Sequence, residues 1–544
     1  MGRTAGGGWI GLAAIGGFVG VALVTLLSFG VPAGDGAALT GGAGLFDAYV
    51  WRVTRFTLLQ AMLSTLLSVL LAIPVARALA RRPAFPGRIW IVRLMALPLG
   101  LPALVGALGI VAVWGRQGHV NGLLAEAGLP PFGIYGLTGI LIAHVFFNLP
   151  LAARLLLAGL ERLPGEYWRI AANLGMGPLA LFRFIEWPAI RGLLPGVAGL
   201  VFMLCATSFT LVLTLGGGPA ASTLEVAIYQ ALRFDFDPPR AIALSALQIG
   251  LTGLLLLALR LAAPVPEPGQ TLGRTGLRPD GASAAGKAAD AAVILLAVLF
   301  VGAPFAAVLT AGLQADLAKL AGDPMVHRAL STSLILSAIS AALTVALTFL
   351  LIDARLAALR LRRPGPAARV LSGAIASSAS LALLVPPLIL GAGWFLALRS
   401  LGDVARFAPA IIVAINSLMA LPFSYRVVEP AMAEHAARTA RLAESLGVKG
   451  FHRLRWIDGP ALALPLVTAF SFAAALSLGD LGAVALFGSQ EIVTLPYLLY
   501  SRMGSYRTTD ADGLALLMGV LCLGLTVIGT LGQRSRAARI DTDA

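Results

Sequence analysis

Two charged stretches interrupt an otherwise apolar chain, and each is a version of the other. Residues 169–190 read RIAANLGMGPLALFRFIEWPAI, and residues 441–462 read RLAESLGVKGFHRLRWIDGPAL. The second stretch begins 272 residues after the first (441 − 169 = 272), which is half of the 544-residue chain. A repeat at half the chain length predicts one structural unit encoded twice. Eight aligned pairs are identical: Arg169/Arg441, Ala171/Ala443, Leu174/Leu446, Gly175/Gly447, Arg183/Arg455, Ile185/Ile457, Pro188/Pro460 and Ala189/Ala461.

The same local structure is predicted for both stretches, which we call the first island (166–190) and the second island (438–462). Each pattern indicates a short helix, a break at Gly175 or Gly447, and a second short helix that ends at a proline. Ordinary loops between membrane helices are the alternative interpretation. Small side chains on the first helix predict a surface that another protein can approach closely: Ala171, Ala172, Ala440 and Ala443.

Composition identifies the class of protein. Hydrophobic residues make up 58% of the chain and charged residues only 12%, whereas a soluble domain carries about 25% charged residues. Apolar runs near 20 residues or longer predict membrane-spanning helices and not a barrel. We therefore expect an all-α membrane protein with twelve spanning helices in two direct six-helix repeats. The twelve runs are approximately 9–31, 56–80, 89–114, 134–160, 192–216, 240–263, 291–313, 329–352, 369–398, 407–428, 464–488 and 513–533.

The distribution of basic residues predicts the orientation. If the N-terminus, the C-terminus and every loop after an even-numbered run share one side, that side carries 29 of the 40 Lys and Arg residues. Basic residues concentrate on the cytoplasmic side of membrane proteins. Both termini and both islands are therefore expected in the cytoplasm. The net charge of +14 thus reflects membrane edges, and no nucleic-acid partner is expected.

A Pro- and Gly-rich segment at 264–290 predicts a cytoplasmic linker between the halves. It contains GASAAGK (281–287), one residue shorter than a phosphate-binding loop and followed by Ala288 where Mg²⁺ binding needs Ser or Thr. No other segment is long enough for an ATPase domain, so any ATPase must be a separate subunit. The predicted division is a first helix and loop (1–55), membrane domain 1 (56–263), the linker (264–290), a seventh helix and loop (291–328), membrane domain 2 (329–533) and a tail (534–544).

The islands resemble the EAA loop of importer-type ABC transporter permeases, in which E-A-A-x-x-x-G is followed ten residues later by I-x-L-P. Both copies depart from it at the same places, including arginine at the position of the glutamate. The resemblance implies a type I importer permease of the bacterial inner membrane. Such a permease docks two copies of an ABC ATPase and receives its substrate from a periplasmic binding protein. The coupling residues that it implies are Arg169, Ala171, Ala172, Gly175, Ile185, Glu186, Pro188, Arg441, Ala443, Glu444, Gly447, Ile457, Asp458 and Pro460.

Shorter stretches in both halves are similar to the fused permeases of bacterial thiamine and thiamine pyrophosphate importers. They are GRQG (115–118), AHVFFNLP (143–150), RFIEWP (183–188), LGGGP (215–219), AIYQAL (227–232), LSLGDLG (476–482), VALFG (484–488) and GSYR (504–507). The resemblance implies thiamine or thiamine pyrophosphate as substrate. Fused ferric-iron importer permeases share the twelve-helix plan and are the alternative.

Candidate substrate-pathway residues follow from the chemistry of thiamine, a permanent cation on an aromatic frame that suits cation–π contacts. The candidates are Trp394, Tyr229 and Tyr500, with aromatic residues of the membrane interface as the alternative interpretation. Asp480 lies inside an apolar run between Gly479 and Gly482. It is either a pathway residue or a group that satisfies backbone amides at a helix break.

Two other classes are less consistent with the sequence. An ion-coupled secondary transporter needs intramembrane carboxylates, and Asp480 is the best of few candidates. An enzyme is not indicated, since neither an H-E-x-x-H nor a G-x-S-x-G motif occurs and the five histidines are scattered. We expect no catalytic residue, metal or cofactor in this chain, with ATP acting on the partner ATPase.

Overall fold

The computed structural model describes residues 2–29, 47–261, 278, 280, 283–361, 365–399, 402, 404–448, 450–488, 492–505 and 507–542. Regular secondary structure within these residues is helical throughout, as predicted. Most of the linker at 264–290 lies outside the described residues. The first half contains α1 (Gly2–Phe29), α2 (Ala48–Arg81), α3 (Arg88–Leu94), α4 (Leu97–Gly100), α5 (Ala103–Trp114), α6 (His119–Glu126), α7 (Leu137–Glu161), α8 (Gly165–Asn173), α9 (Pro178–Leu181), a π-helical turn (Phe182–Glu186), α10 (Trp187–Ala206), α11 (Phe209–Leu215), a 3₁₀ turn (Pro219–Ala221), α12 (Leu224–Arg233) and α13 (Pro238–Leu261).

The second half repeats this order. It contains α14 (Ala284–Gln314), α15 (Leu317–Gly322), α16 (Pro324–Leu359), α17 (Pro366–Leu384), α18 (Pro387–Arg399), α19 (Val404–Ser445), α20 (Gly450–Arg453), a π-helical turn (Leu454–Asp458), α21 (Gly459–Gly479), α22 (Gly482–Phe487), α23 (Leu495–Gly504) and α24 (Thr508–Thr542).

Ten of the described helices are long and apolar enough to cross a membrane. The third apolar run is a bent pair, in which Arg88–Gly100 and Ala103–Glu126 meet at 115°, and counting it as one span gives eleven. The ninth run, at 369–398, is likewise divided into α17 and α18. A proline lies within each break, Pro102 or Pro386, where its missing N–H and fixed φ interrupt a helix. The count of twelve spans therefore stays a prediction.

Corresponding helices of the two halves begin in the same way. The carboxylate of Asp47 accepts a hydrogen bond from the Val50 amide at 2.8 Å at the start of α2. At the start of α16, the carboxylate of Asp323 accepts one from the Met325 amide at 2.8 Å. These caps satisfy amides that a helix leaves unpaired at its N-terminus.

Matched polar contacts also join the short helices α12 and α23 to their halves. The Leu224 amide donates to the Thr57 hydroxyl at 3.0 Å, and the Leu495 amide donates to the Ser333 hydroxyl at 2.8 Å. Leu224 and Leu495 occupy equivalent places in the repeat, so the repeat extends beyond the islands.

The chain divides into two compact units, and each unit includes a long helix from the other half of the sequence. One unit comprises Met1–Phe46, Ala227–Ile249 and Gly312–Ala544, and the other comprises Asp47–Val226 and Gly250–Ala311. The first helix, α1, thus belongs with the second half, and most of the seventh spanning helix, α14, belongs with the first.

Close contacts hold α1 within its unit. The Trp394 indole of α18 donates to the Phe18 carbonyl at 3.1 Å, and the two rings stack with centroids 5.1 Å apart. Gly393 lies against the backbone of Ala22, where a Cβ would collide with the Ala22 carbonyl.

The contacts of α14 in the other unit are equally close. A Cβ at Gly109 would lie 2.6 Å from the Pro304 carbonyl oxygen, so the glycine permits α5 and α14 to pack backbone to backbone. Phe305 of α14 packs on Phe146 of α7 with ring centroids 5.8 Å apart.

Candidate functional site: the two matched islands

The first island is a short helix, a tight turn and a second short helix. Its turn contains Gly175 at φ +63°, a left-handed conformation that favours glycine. The Met176 amide donates to the Ala171 carbonyl at 3.0 Å and closes the C-terminus of α8. Trp168, Ala171 and Leu181 form a small buried core beneath the turn.

The second island has the same backbone at its turn. Gly447 adopts φ +65°, and the Val448 amide donates to the Ala443 carbonyl at 3.0 Å. Here the first helix is the end of the 42-residue helix α19 and not a separate short helix, which corrects the prediction for this copy. The side chains of Arg441 and Glu444 lie outside the described residues.

The prolines of the two islands begin a helix and do not end one, contrary to the prediction. Pro188 is the second residue of α10 and Pro460 the second residue of α21. Proline is favoured in the first turn because the missing N–H would have no helical partner there. The preceding π turns run directly into these helices, since Glu186 and Asp458 both keep right-handed helical angles. Each island is therefore continuous with a spanning helix.

Two of the four small residues, Ala171 and Ala443, do not lie on the outer surface that the sequence suggested, and the side chain of Ala440 lies outside the described residues. Ala171 is 1% exposed and Ala443 is 2% exposed, because both pack beneath the turn of their own island. Ala172 is exposed. The surface instead carries leucines at equivalent positions, with Leu174 71% exposed and Leu446 66% exposed.

In the first island, several other large side chains project outward. Ile170, Leu179 and Phe184 are exposed, as is the side chain of Arg169, which lies 3.7 Å from Glu166 in a surface ion pair. The second island exposes Trp456. An apolar surface with charges at its edge is typical of a protein contact site.

An acidic residue lies at the end of each π turn, but its surroundings differ between the islands. Glu186 is fully buried and forms ion pairs with Arg77 at the end of α2 and with Arg278 of the linker. Arg278 also lies 4.0 Å from the ring centroid of Trp168 and 3.3 Å from Asp280. The linker is thereby fastened to the first island.

Asp458, the equivalent residue, is bound by its own island and the helix leading into it. His435 Nε2 lies 2.9 Å from one carboxylate oxygen, and Arg453 Nε lies 3.1 Å from the other. The Asp458 side chain is 15% exposed. Ile185 and Ile457 are partly buried beside these carboxylates.

Sequence reasoning did not identify Arg77 or Arg278 as part of this site. Both were counted only as basic residues of loops and helix ends. The shared acidic character of Glu186 and Asp458 was visible in the alignment, but the arginines that bind Glu186 lie 109 and 92 residues away along the chain.

Comparison with known proteins decides the family. A sequence model described as "Binding-protein-dependent transport system inner membrane component" matches residues 68–264. The thiamine transport system permease protein ThiP of Brucella suis is 50% identical over 514 residues, covering 94% of this chain and 92% of that protein. ThiP of Escherichia coli is 43% identical over 492 residues, covering 90% of each chain. The chain belongs to the family of thiamine transport system permeases.

Membership confirms the predicted class of protein. The chain is the permease of an ABC importer, a multi-pass helical membrane protein and not an enzyme. Transporters of this kind hydrolyse ATP on a separate subunit and take substrate from a binding protein. A more distant relative, the sulfate transport permease CysT of Salmonella typhimurium, is 30% identical over 207 residues, which cover 38% of this chain and 73% of that protein.

Two of the candidate pathway residues, Asp480 and Trp394, make contacts within the protein. The Asp480 carboxylate accepts hydrogen bonds from the amides of Gly482 at 3.2 Å and Ala483 at 3.0 Å, so it caps α22. This is the backbone-satisfying alternative of the sequence analysis. Trp394 is already stacked on Phe18.

The two candidate tyrosines, Tyr229 and Tyr500, lie near each other. Tyr229 lies on α12 and is buried, while Tyr500 lies on α23 and is partly exposed. Burial, with the nearby Tyr500 adding to it, raises the pKa of Tyr229 to about 12. Tyr229 is therefore a neutral phenol at physiological pH, and its attraction for a cation comes from its ring and hydroxyl dipole and not from a phenolate.

Two further polar residues, His144 and Asn148, fill structural roles in α7. His144 Nδ1 lies 2.9 Å from the Ser64 hydroxyl, and the Asn148 amide group donates to the Cys205 sulfur at 3.3 Å. In the second half, the Asn416 amide group donates to the Ser477 hydroxyl at 2.8 Å. Each half thus joins its core helices through buried polar pairs.

Proposed function

We propose that this permease carries thiamine, thiamine pyrophosphate or both into the cell, using ATP hydrolysed by two copies of a separate ATPase. The substrate assignment is supported by the relatives at 50% and 43% identity, which are thiamine transport system permeases. A ferric-iron substrate is not favoured by these relatives. A periplasmic binding protein would deliver the substrate.

The pair of islands carries the proposed coupling mechanism. Their turns share the same left-handed glycine and the same closing hydrogen bond, and each exposes an equivalent leucine. Two equivalent surfaces suit a partner that is itself a two-fold dimer. We assign one ATPase subunit to each island, with Leu174 and Leu446 as contact residues and Arg169 and Arg441 beside them.

Movement of an island is transmitted through the helix that continues from it. The first island leads without a break into α10, and the second into α21. A docked ATPase dimer that closes on ATP would draw the islands together and displace these helices. The pathway would then open outward to receive substrate, and hydrolysis would restore the inward-open state.

Orientation is part of the proposal. The excess of Lys and Arg on one set of loops supports cytoplasmic islands and cytoplasmic termini in the inner membrane. Single cysteines placed at Leu174 and at Leu123, an exposed residue of α6 in a loop assigned to the periplasm, would test it. A membrane-impermeant thiol reagent should label position 123 in intact cells and position 174 only in broken cells. The reverse pattern would contradict this orientation.

The pathway assignment is limited to the tyrosines. Tyr229 and Tyr500 lie on the repeat-related helices α12 and α23, and Tyr500 is near enough to contribute to the raised pKa of Tyr229, which supports a shared aromatic site. Neutral aromatic rings attract a quaternary thiazolium without holding it as tightly as a carboxylate would. Asp480 and Trp394 are assigned to helix capping and helix packing instead.

Uptake into proteoliposomes tests the whole assignment. The permease would be reconstituted with its ATPase and binding protein, and labelled thiamine, thiamine pyrophosphate and ferric iron would be supplied in parallel. We expect ATP-dependent uptake of a thiamine species and none of iron. Iron uptake would overturn the substrate but keep the transporter class. Uptake driven by an ion gradient without ATP would overturn the class.

A further inference from the structure

A cleft lies beside the basic end of α2, against the first turns of α14. Its volume is about 470 Å³, which is within the range of roughly 300–1,000 Å³ that ligand sites occupy. It is open to the outside along one side. The lining residues are Arg82, Phe85, Ile91, Lys287, Asp290, Ala291, Ile294, Leu295 and Val298.

Six of the lining residues form a single stripe along α14. They lie at 287, 290, 291, 294, 295 and 298, a spacing that places them on one face of a helix. The stripe is charged at its first two positions and apolar at the other four. An amphipathic ligand with a polar head and an apolar chain matches this order.

The length of the stripe matches one leaflet of a bilayer. Eleven residues separate Lys287 from Val298, which corresponds to about 16 Å at ~1.5 Å per residue of helix. The hydrocarbon core of a bilayer is about 30 Å thick, so a leaflet is about half of this. A phospholipid acyl chain that begins at Lys287 would therefore extend along the whole apolar part of the stripe.

The charge at the mouth of the cleft selects for an anion. Lys287 is exposed, and Arg82 lies beside it with its Nε 3.2 Å from Asp290. Arg81 also contacts Asp290, at 3.1 Å. Arg82 and Lys287 bring two positive charges to the cleft, and Asp290 brings one negative charge. The lining therefore has a net charge of +1, which favours an anionic headgroup. Basic clefts at the edge of spanning helices are a recognised chemistry for anionic lipid headgroups.

We propose that this cleft binds an anionic phospholipid, with its phosphate at Lys287 and Arg82 and one acyl chain along the apolar face of α14. The site is independent of which solute the permease carries. It lies in the unit formed by Asp47–Val226 and Gly250–Ala311, and so is contained in one compact part of the chain.

A chain of ion pairs connects this lipid site with the first island. Arg81 contacts Asp290 and also lies 3.2 Å from Asp280. Asp280 pairs with Arg278, which binds Glu186. A headgroup phosphate at the cleft would therefore act on the same set of charges that fastens the linker to the island.

Native mass spectrometry of the purified full-length permease tests the proposal. After delipidation, phosphatidylglycerol, cardiolipin and phosphatidylethanolamine would be added separately, and the retained lipid would be counted. We expect the two anionic lipids to be retained at least fivefold more strongly than phosphatidylethanolamine. Equal retention of all three would show a non-selective surface and overturn the proposal.

Matched variants locate the site. Ala291→Trp fills the cleft from an exposed position, and Ala292→Trp adds the same bulk at the neighbouring exposed position outside it. The first should abolish selective retention of phosphatidylglycerol and the second should preserve it. Identical behaviour of the two variants would contradict the placement.

The headgroup contact has its own control. Lys287→Ala should reduce phosphatidylglycerol affinity about fivefold, the effect of one cation near an anionic lipid. Arg360→Ala, which removes an exposed arginine after the last turn of α16, should leave it unchanged. Excess inorganic phosphate should fail to displace the lipid. Full displacement by phosphate would show a simple anion site without a role for the acyl chain.

Discussion

The two islands share a backbone but are fastened to the protein in different ways. Both turn at a left-handed glycine and both expose a leucine. Glu186 of the first island is fully buried between Arg77 and Arg278, whereas Asp458 is 15% exposed and is bound by His435 and Arg453 of its own region. The first island is thus tied to distant segments, and the second is held locally.

This difference distinguishes two tasks of each island, which are to contact the partner subunit and to stay anchored to the rest of the protein. The turn and its exposed leucine are the same in both copies, as expected if both contact identical partner subunits. The anchoring ion pairs are free to diverge, because they only have to hold each island in place. Arg278 of the linker contacts the first island, where it pairs with Glu186 and became part of the anchor.

The largest difference is expected when the acidic anchors are removed. Glu186→Ala leaves Arg77 and the buried side chain of Arg278 without their shared carboxylate and should destabilise the first island by about 3 kcal/mol. Asp458→Ala should cost only about 1 kcal/mol because the Asp458 side chain is 15% exposed to solvent, whereas Glu186 is fully buried. Amide hydrogen exchange, read separately over 166–190 and 438–462, measures each opening reaction.

Glu126→Ala, at an exposed residue of α6, is the control and should leave both islands unchanged. A larger effect at Asp458 than at Glu186 would reverse the comparison and contradict the proposed anchoring.

Removing the arginine partners should give the next largest difference. Arg278→Ala loses both the ion pair with Glu186 and the stacking on Trp168, at a cost of about 2 kcal/mol. Arg453→Ala should cost less than about 1 kcal/mol because His435 still binds Asp458. Exchange over 166–190 should become roughly 30-fold faster only in Arg278→Ala.

Arg278→Lys sharpens this result, since lysine keeps the charge but lacks the planar group that stacks on the indole. Relative to Arg278→Ala, Arg278→Lys should recover only part of the protection of residues 166–190 against amide exchange. Full recovery would mean that stacking contributes nothing.

The turn glycines should show equal effects in both islands. Gly175→Val and Gly447→Val each force a β-branched residue into a left-handed conformation, which costs roughly 1–2 kcal/mol. We expect both variants to insert normally but to lose most ATP-dependent uptake. Asparagine tolerates this conformation better, so Gly175→Asn and Gly447→Asn should retain more activity.

Unimpaired uptake in both valine variants, at normal protein levels, would count against a coupling role for these turns. A defect in only one variant would show that the islands do not act as equivalents.

The exposed leucines should give the smallest effect. Leu174→Ala and Leu446→Ala each remove apolar surface that docking would bury, and each should weaken ATPase binding by about 1 kcal/mol, or roughly fivefold. Leu123→Ala removes an equally exposed leucine outside the islands and should not affect binding. Titration of the detergent-solubilised permease with the ATPase measures the binding affinity. Unchanged affinity in both island variants would show that the ATPase docks at another surface.

Much of the architecture was predictable because it depends on local composition and on the repeat. Apolar runs specified helices, and the 272-residue offset identified the islands and the glycines at their breaks. The broken third run was harder to predict, since a proline inside an apolar run is also compatible with a continuous membrane helix. α2 contains such a proline, Pro74, and remains one helix.

The anchors and the packing of α1 and α14 were not predictable for a different reason. They depend on contacts between segments that are far apart in sequence, and periodicity carries no information about such pairs. Arg278 lies in a segment whose composition indicates only a flexible linker. The buried positions of Ala171 and Ala443 were missed because a small residue suits a close contact equally well on the inside of a turn and on its outside.

The packing of α1 has a consequence for how the protein is made. α1 leaves the ribosome before α16 and α18, but it packs in the unit that contains them. The start of α16 is translated 295 residues after the end of α1 (324 − 29 = 295), a delay of about 15–60 s at roughly 5–20 residues per second. During that interval α1 is inserted in the bilayer without its final neighbours. The packing of α1 is therefore completed only after the second half has begun to emerge from the ribosome. The two halves thus complete their folding together and not one after the other.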